Sequence, residues 1–212
     1  MDKITTSAII LDFDGTMVDS FVVTLDILYG LTHTQPLRNE DISRLRGTGM
    51  VRLLRELQVP WWQVFFLARR VRHLMSNQMT EIQLVPGIAE AVKALSKKHK
   101  LFVLTSNSAN NVSSLLERSG IDSYFTNIYG NANPLHKAHE LSRMLKQNNL
   151  SKKLTWYVGD EPQDIHAAKD VGIGSIAVSW GYSNIHILKS HRPDRLVFSP
   201  DELLALFAKQ IS

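Results

Sequence analysis

The 212-residue chain has no cysteine, which rules out disulfides, thiolate metal sites and a cysteine nucleophile, and suits a reducing compartment. Long apolar runs are also missing. The N-terminal seven residues are short and polar, and the first apolar stretch, Ala8-Ile9-Ile10-Leu11, is cut off by Asp12. Neither a signal peptide nor a membrane span is therefore predicted. Charge is not gathered in blocks: 24 Lys and Arg lie scattered among 20 Asp and Glu, for a formal net charge of +4. A nucleic-acid binder more often shows a basic stripe or arm with interleaved aromatics, and this sequence has neither. The expectation is a soluble cytoplasmic protein with no nucleic-acid or membrane partner, and a balance that suits a small anionic substrate.

With 44% apolar residues the chain can bury one substantial core. Ala8 to Leu11 is an unbroken, β-branched run of the kind that forms a strand buried on both faces. Similar runs recur at Leu101 to Leu104, Leu154 to Val158 and Ile176 to Val178, each ending in polar or glycine residues. Helical patterns lie between them: Ile88 to Lys97 after Pro86-Gly87, Val112 to Arg118 before Gly120, Leu135 to Leu145, Ile165 to Val171 before Gly172, and Pro200 to Gln210. This alternation predicts an α/β fold with a doubly wound parallel sheet, whose ligands bind at the carboxyl ends of the strands. The stretch from Phe21 to Leu84 breaks the rhythm, with three helical patterns and no buried strand. It reads as an all-helical cap inserted over the site. The expected division is a core of residues 1–16 and 85–212 and a cap of residues 17–84.

The strand ends carry the chemistry. Asp12 and Asp14 stand two residues apart where the first strand stops, followed by Gly15 and Thr16. While the chain stays extended, such positions share a face. The pair is either solvated acid in a β-turn or two like charges that need a cation or a shared proton. Asp160 and Asp164 follow another strand, in Gly159-Asp160-Glu161-Pro162-Gln163-Asp164, where Asp164 is also a candidate helix cap. Hard oxygen ligands from two strand ends suit a Mg2+ site that handles phosphate. Thr105, with Ser106 and Asn107, ends a third strand, where hydroxyl and backbone N–H groups can donate to phosphoryl oxygens.

Asp12-Phe-Asp-Gly-Thr16, the strand ending in Thr105, Lys137 ahead of an amphipathic helix, and Gly159-Asp160 with Asp164 appear in the order and spacing of the haloacid dehalogenase-like superfamily. Val158 to Asp164, with Ala177-Val-Ser-Trp-Gly181 downstream, most resembles its phosphoglycolate phosphatase-like branch, which has a Rossmann-like core and a helical cap. The resemblance implies a magnesium-dependent phosphatase acting on a small phosphorylated metabolite. Asp12 would be the nucleophile, forming an aspartyl-phosphate, and Asp14 the general acid and base. Asp12, the backbone carbonyl of Asp14 and Asp160 would hold the metal, with Asp164 supporting them, while Thr105, Ser106 and Lys137 would bind the phosphoryl group. Many relatives carry proline after this lysine, where this chain has Ala138. A phosphomutase shares the whole core, and a catalytically idle binding protein could keep the fold.

Other features read more plainly. His136 and His139, with Glu140, lack an obvious third zinc ligand and read as surface residues. His166 is expected to face solvent or a helix partner. Trp61-Trp62 and Phe65-Phe66 are expected to pack the cap. Among Arg44, Arg46 and Arg52, which surround the Gly47-Thr48-Gly49 break, Arg46 is the candidate substrate contact. The chain is expected to be a monomer or a homodimer.

Overall fold

The computed structural model describes residues 7–32, 45, 50–133 and 136–208. Six strands form one all-parallel sheet in the order β3-β2-β1-β4-β5-β6. They are β1 (Ala8–Leu11), β2 (Lys100–Leu104), β3 (Phe125–Tyr129), β4 (Thr155–Gly159), β5 (Gly174–Val178) and β6 (Arg195–Val197). The helices are α1 (Phe21–Thr32), α2 (Met50–Glu56), α3 (Val64–Gln78), α4 (Ile88–Leu95), α5 (Ala109–Arg118), α6 (Lys137–Gln147), α7 (Pro162–Val171), α8 (Ile185–Ser190) and α9 (Pro200–Ala208).

β1 lies between β2 and β4, with Leu11 aligned to Val103 and Val158. Helices cover both faces, which is why its residues are apolar without alternation. Ile9 and Leu11 pack with Val92 of α4, Leu115 of α5 and Leu203 of α9. Ala8 and Ile10 pack on the other face with Leu141 and Met144 of α6 and Ala168 of α7. The strand order reverses between β1 and β4, so a crevice opens beyond their carboxyl ends, the place where such sheets bind ligands.

β3, β6 and α8 were not predicted. β3 has a mostly half-exposed or exposed burial pattern, and β6 has only three residues, so neither edge strand shows an apolar run. β4 begins at Thr155, because Leu154 closes a 3-10 turn and is 39% exposed. The helix after Thr105 starts at Ala109, earlier than its apolar pattern, because Ser108 caps it by accepting the Asn111 N–H at 3.1 Å.

Between β1 and α4 the described residues form helices and turns. Phe21, Leu25 and Leu28 of α1 and Val71 and Met75 of α3 join the cluster that covers one face of the sheet. The chain leaves and returns along paired backbone: Asp19 N–H donates to Gln83 at 3.1 Å, and Val85 N–H to Met17 at 2.9 Å. Trp61, Trp62 and Phe66 do not fill this interior as predicted. They are 85%, 57% and 68% exposed, because the buried stripe of α3 falls at Val71 and Met75. No described helix is long and apolar enough to cross a membrane.

Candidate active site

Asp12 directly follows β1, and its N–H continues the ladder by donating to Val158 at 2.8 Å. The chain then folds tightly, with the N–H groups of Thr16, Met17 and Val18 all directed at the Phe13 carbonyl. Gly15 sits in this turn at φ +77°, and a Cβ there would lie 2.3 Å from an Asp160 oxygen. Conformation and space both require glycine. Gly181 has the same close approach to Asp160, and Gly159 to Asp164. Bare backbone is thus packed against the carboxylates.

Asp12, Asp160 and Asp164 each present a carboxylate oxygen within 4.8 Å of the others, and all three are buried. Lys137, the first residue of α6 and 5% exposed, reaches between two of them. Its Nζ lies 2.6 Å from Asp12 Oδ2 and 2.5 Å from Asp164 Oδ1. Asp164 also accepts from the Tyr157 hydroxyl at 3.2 Å and the Glu161 N–H at 3.0 Å. The second bond belongs to a reciprocal box in which Glu161, rather than Asp164, is the N-cap of α7. Asp160 accepts from Thr16 Oγ1 at 3.0 Å and the Tyr182 N–H at 2.7 Å.

Burial pushes the Asp12 carboxyl from 3.8 up to about 7, against the pull of Lys137 and with a further push from Asp164. Asp160 is held well above the usual carboxylate range by burial first, then by Glu161, Asp164 and Asp12. For Lys137, burial opposes the charge, but Asp12 and Asp164 outweigh it and hold the ammonium well above 10.5. Two carboxylates bracket one ammonium, a third lies within 4.8 Å of both, and all the donors are hard oxygens. That set fits a divalent cation such as magnesium.

Asp14 engages different partners. The strand ends at Leu11, so the extended alternation expected to put both carboxylates on one face does not reach Asp14. Its Oδ1 accepts from Ser20 Oγ at 2.8 Å and its Oδ2 from Asn107 Nδ2 at 3.4 Å. Burial raises its pKa, while the Ser20 and Asn107 bonds and the Lys137 charge lower it. Asn107 is oriented by the Ser108 N–H and Asn111 Nδ2, both donating to its Oδ1. Its amide nitrogen is therefore left for Asp14.

Thr105 is buried at the end of β2 and accepts the Asn107 N–H at 3.0 Å, which leaves its hydroxyl proton to donate. Ser106 beside it is half-buried. Asp12, Lys137, Asp160 and Asp164 thus converge from three stretches of chain. Ser20, Asn107, Tyr157 and Tyr182 were not singled out. Only Asn107 had a signal, its place two residues beyond Thr105. Arg46 and the adjacent glycine turn lie outside the described residues. His136 and His139 are exposed, and the aspartate group is the one metal-capable cluster among the described residues. His166 meets a helix-end partner, His191, at 2.9 Å.

The fold is a Rossmann-like parallel sheet with a buried aspartate cluster at its switch point. The sequence pattern of the haloacid dehalogenase-like hydrolases matches residues 9–178, and the chain belongs to that family. It is 32% identical over 201 residues to a phosphoglycolate phosphatase from Synechococcus elongatus, covering 93% of this chain and 95% of the relative. It is 25% identical to pyrophosphatase PpaX from Listeria innocua, covering 96% of each. A haloacid dehalogenase-like family hydrolase from Streptococcus pneumoniae shares the fold, with a TM-score of 0.77 over 95% of this chain and 98% of its own, at 24% identity. The chain is a phosphatase of this family.

Proposed function

We propose that the protein is a cytoplasmic, magnesium-dependent phosphomonoester hydrolase that works through a phosphoryl group carried on Asp12, with 2-phosphoglycolate or a close analogue as substrate. The observation that carries this reading is the meeting of Asp12, Asp160 and Asp164 at the switch point, with Lys137 paired to Asp12 and Asp164. The substrate is suggested by the phosphoglycolate phosphatase relative, which aligns over nearly its full length. Residues 1–16 and 85–212 act as the catalytic core and residues 17–84 as a cap that limits water access.

Asp12, Asp160 and the backbone carbonyl of Asp14 would hold magnesium, with Asp164 in support. The ion would supply positive charge that offsets repulsion between the carboxylates and a phosphate dianion. An oxygen of Asp12 attacks phosphorus, the bond to the leaving oxygen breaks, and Asp14 passes its proton to that oxygen to release the alcohol. Asp14 then takes a proton from water, whose oxygen displaces Asp12 and yields inorganic phosphate. The Lys137 ammonium and the Thr105 and Ser106 donors stabilise the transferring group.

The test is phosphate release from a panel that includes 2-phosphoglycolate and pyrophosphate, with magnesium and with a chelator. Magnesium-dependent turnover of 2-phosphoglycolate is expected, with a loss of about 10⁴-fold or more in Asp12→Asn. Turnover that persists in Asp12→Asn, or none on any ester, would refute the mechanism.

A further inference from the structure

We infer that Tyr182 is a positioning residue for the acid, holding the Asp14 carboxylate in line through Ser20; this rests on the reading of Asp14 as proton donor. Tyr182 follows β5, 22 positions beyond Asp160, and it touches the machinery on two sides. Its N–H donates to Asp160 at 2.7 Å. Its hydroxyl lies 2.8 Å from Ser20 Oγ and 3.1 Å from Thr24 Oγ1 of α1. Ser20 and Tyr182 are both buried, and the tyrosine ring sits edge-on to Phe21 with centroids 5.4 Å apart.

Counting protons fixes the direction of this chain. Each hydroxyl has one proton to give. Ser20 gives its own to Asp14 Oδ1 at 2.8 Å. The contact between Ser20 and Tyr182 is then a hydrogen bond only if the phenol donates. With that proton used, the phenol oxygen accepts from Thr24, whose other neighbour is the weaker acceptor Met75 Sδ at 3.8 Å. The order is Thr24 to Tyr182 to Ser20 to Asp14.

A serine hydroxyl alone is a free rotor with three staggered positions. The phenol blocks that freedom by occupying one side of Ser20 Oγ, so the proton is left pointing at Asp14. Without the phenol, Asp14 would keep its second contact, Asn107 at 3.4 Å, but lose a fixed donor on Oδ1. Proton transfer to a leaving oxygen depends steeply on such alignment. Tyr182→Phe deletes the hydroxyl while leaving the ring packing and the backbone bond to Asp160.

The leaving group supplies a readout that a merely structural role would not move. An alkoxide must be protonated as it departs, whereas 4-nitrophenolate departs readily without an acid. We compare kcat/KM for 2-phosphoglycolate and 4-nitrophenyl phosphate, because this ratio reports the first displacement. Tyr182→Phe is expected to lose about 10-fold on 2-phosphoglycolate and less than about 2-fold on the aryl ester. Ser20→Ala should reproduce the split, and the double variant should be no worse than Ser20→Ala alone, since both act along one chain. Equal losses on the two esters, no loss on either, or additive effects in the double variant would overturn the inference. Asp14→Asn separates it from the underlying reading. A selective loss in Asp14→Asn beside an unselective one in Tyr182→Phe and Ser20→Ala would sink the positioning role alone. Equal losses on both esters in Asp14→Asn would sink the acid assignment and the inference together.

Discussion

Asp12 and Asp14 stand two residues apart but belong to two differently built regions. Around Asp12 the contacts are ionic: Lys137 bridges it to Asp164, with Asp160 close by, and the backbone comes from β1, β4 and the first turns of α6 and α7. Around Asp14 the contacts are neutral, from Ser20 and Asn107, with Tyr182 and Thr24 behind them. The ionic region can carry charge in a dry place only by matching it with opposite charge. The neutral region holds a carboxyl that no cation contacts directly, and burial raises its pKa against the Ser20 and Asn107 bonds and the charge of Lys137, as suits the proposed proton donor.

The sharpest way to break this contrast is Lys137→Ala. Removing the one ammonium leaves Asp12 and Asp164 facing each other in a buried site, a change that typically costs about 3–5 kcal/mol of stability. Turnover is expected to fall about 10³-fold, since the same charge would meet the transferring phosphoryl group. Lys146→Ala, an exposed position one helix face away, should leave both quantities unchanged. Urea unfolding and phosphate release measure the two effects. Comparable losses in both variants would mean that Asp12 does not depend on Lys137.

The ionic region was largely legible in the sequence, and the neutral one was not. Each acid of the ionic region ends or closely follows an apolar strand, and such strands announce themselves because both faces are buried. Asp160 could be placed near Asp12 because parallel strands bring their carboxyl ends to one side. The parts that failed lack periodic signal. β3 exposes Thr126 and Asn127 at the sheet edge and so lacks the buried pattern. Tyr182 reaches Ser20 from 162 positions away through a single hydroxyl, and no local spacing encodes a contact of that kind. Trp61 and Trp62 read as interior residues because tryptophan is usually buried, but the short turn that carries them faces outward.

A smaller effect concerns pH. The Asp12 carboxyl lies at about 7 in the folded chain and starts from 3.8. Its raised pKa means the folded state binds the proton more tightly than the unfolded state. The resulting stabilisation is complete below about 3.8, declines as pH rises, and is gone above about 7. Magnesium requires the ionised form, so its affinity should rise over the same window. The thermal midpoint of the metal-free protein should therefore drop, and the increment from added magnesium grow, between about pH 5.5 and about pH 8. A magnesium increment independent of pH would contradict the ionic description of Asp12.

The smallest effect expected lies at the far end of the neutral region. Thr24 belongs to α1 and donates to the Tyr182 phenol, which keeps its own bond to Ser20 when that donor is lost. Thr24→Val retains the β-branched shape in the helix and removes only the hydroxyl. The phenol loses one of its two oxygen partners, so its hold on Ser20 should loosen without failing. A drop of about 3-fold in kcat/KM for 2-phosphoglycolate is expected, with the aryl ester unaffected and stability changed by no more than about 1 kcal/mol. Because α1 lies in the proposed cap, such a graded, ester-selective loss would mean that the acid's alignment depends on how that helix is seated, while Asp12 depends only on the core. A loss as large as that of Tyr182→Phe would instead place the critical bond at Thr24 and shift the anchor of the acid from the core to the cap.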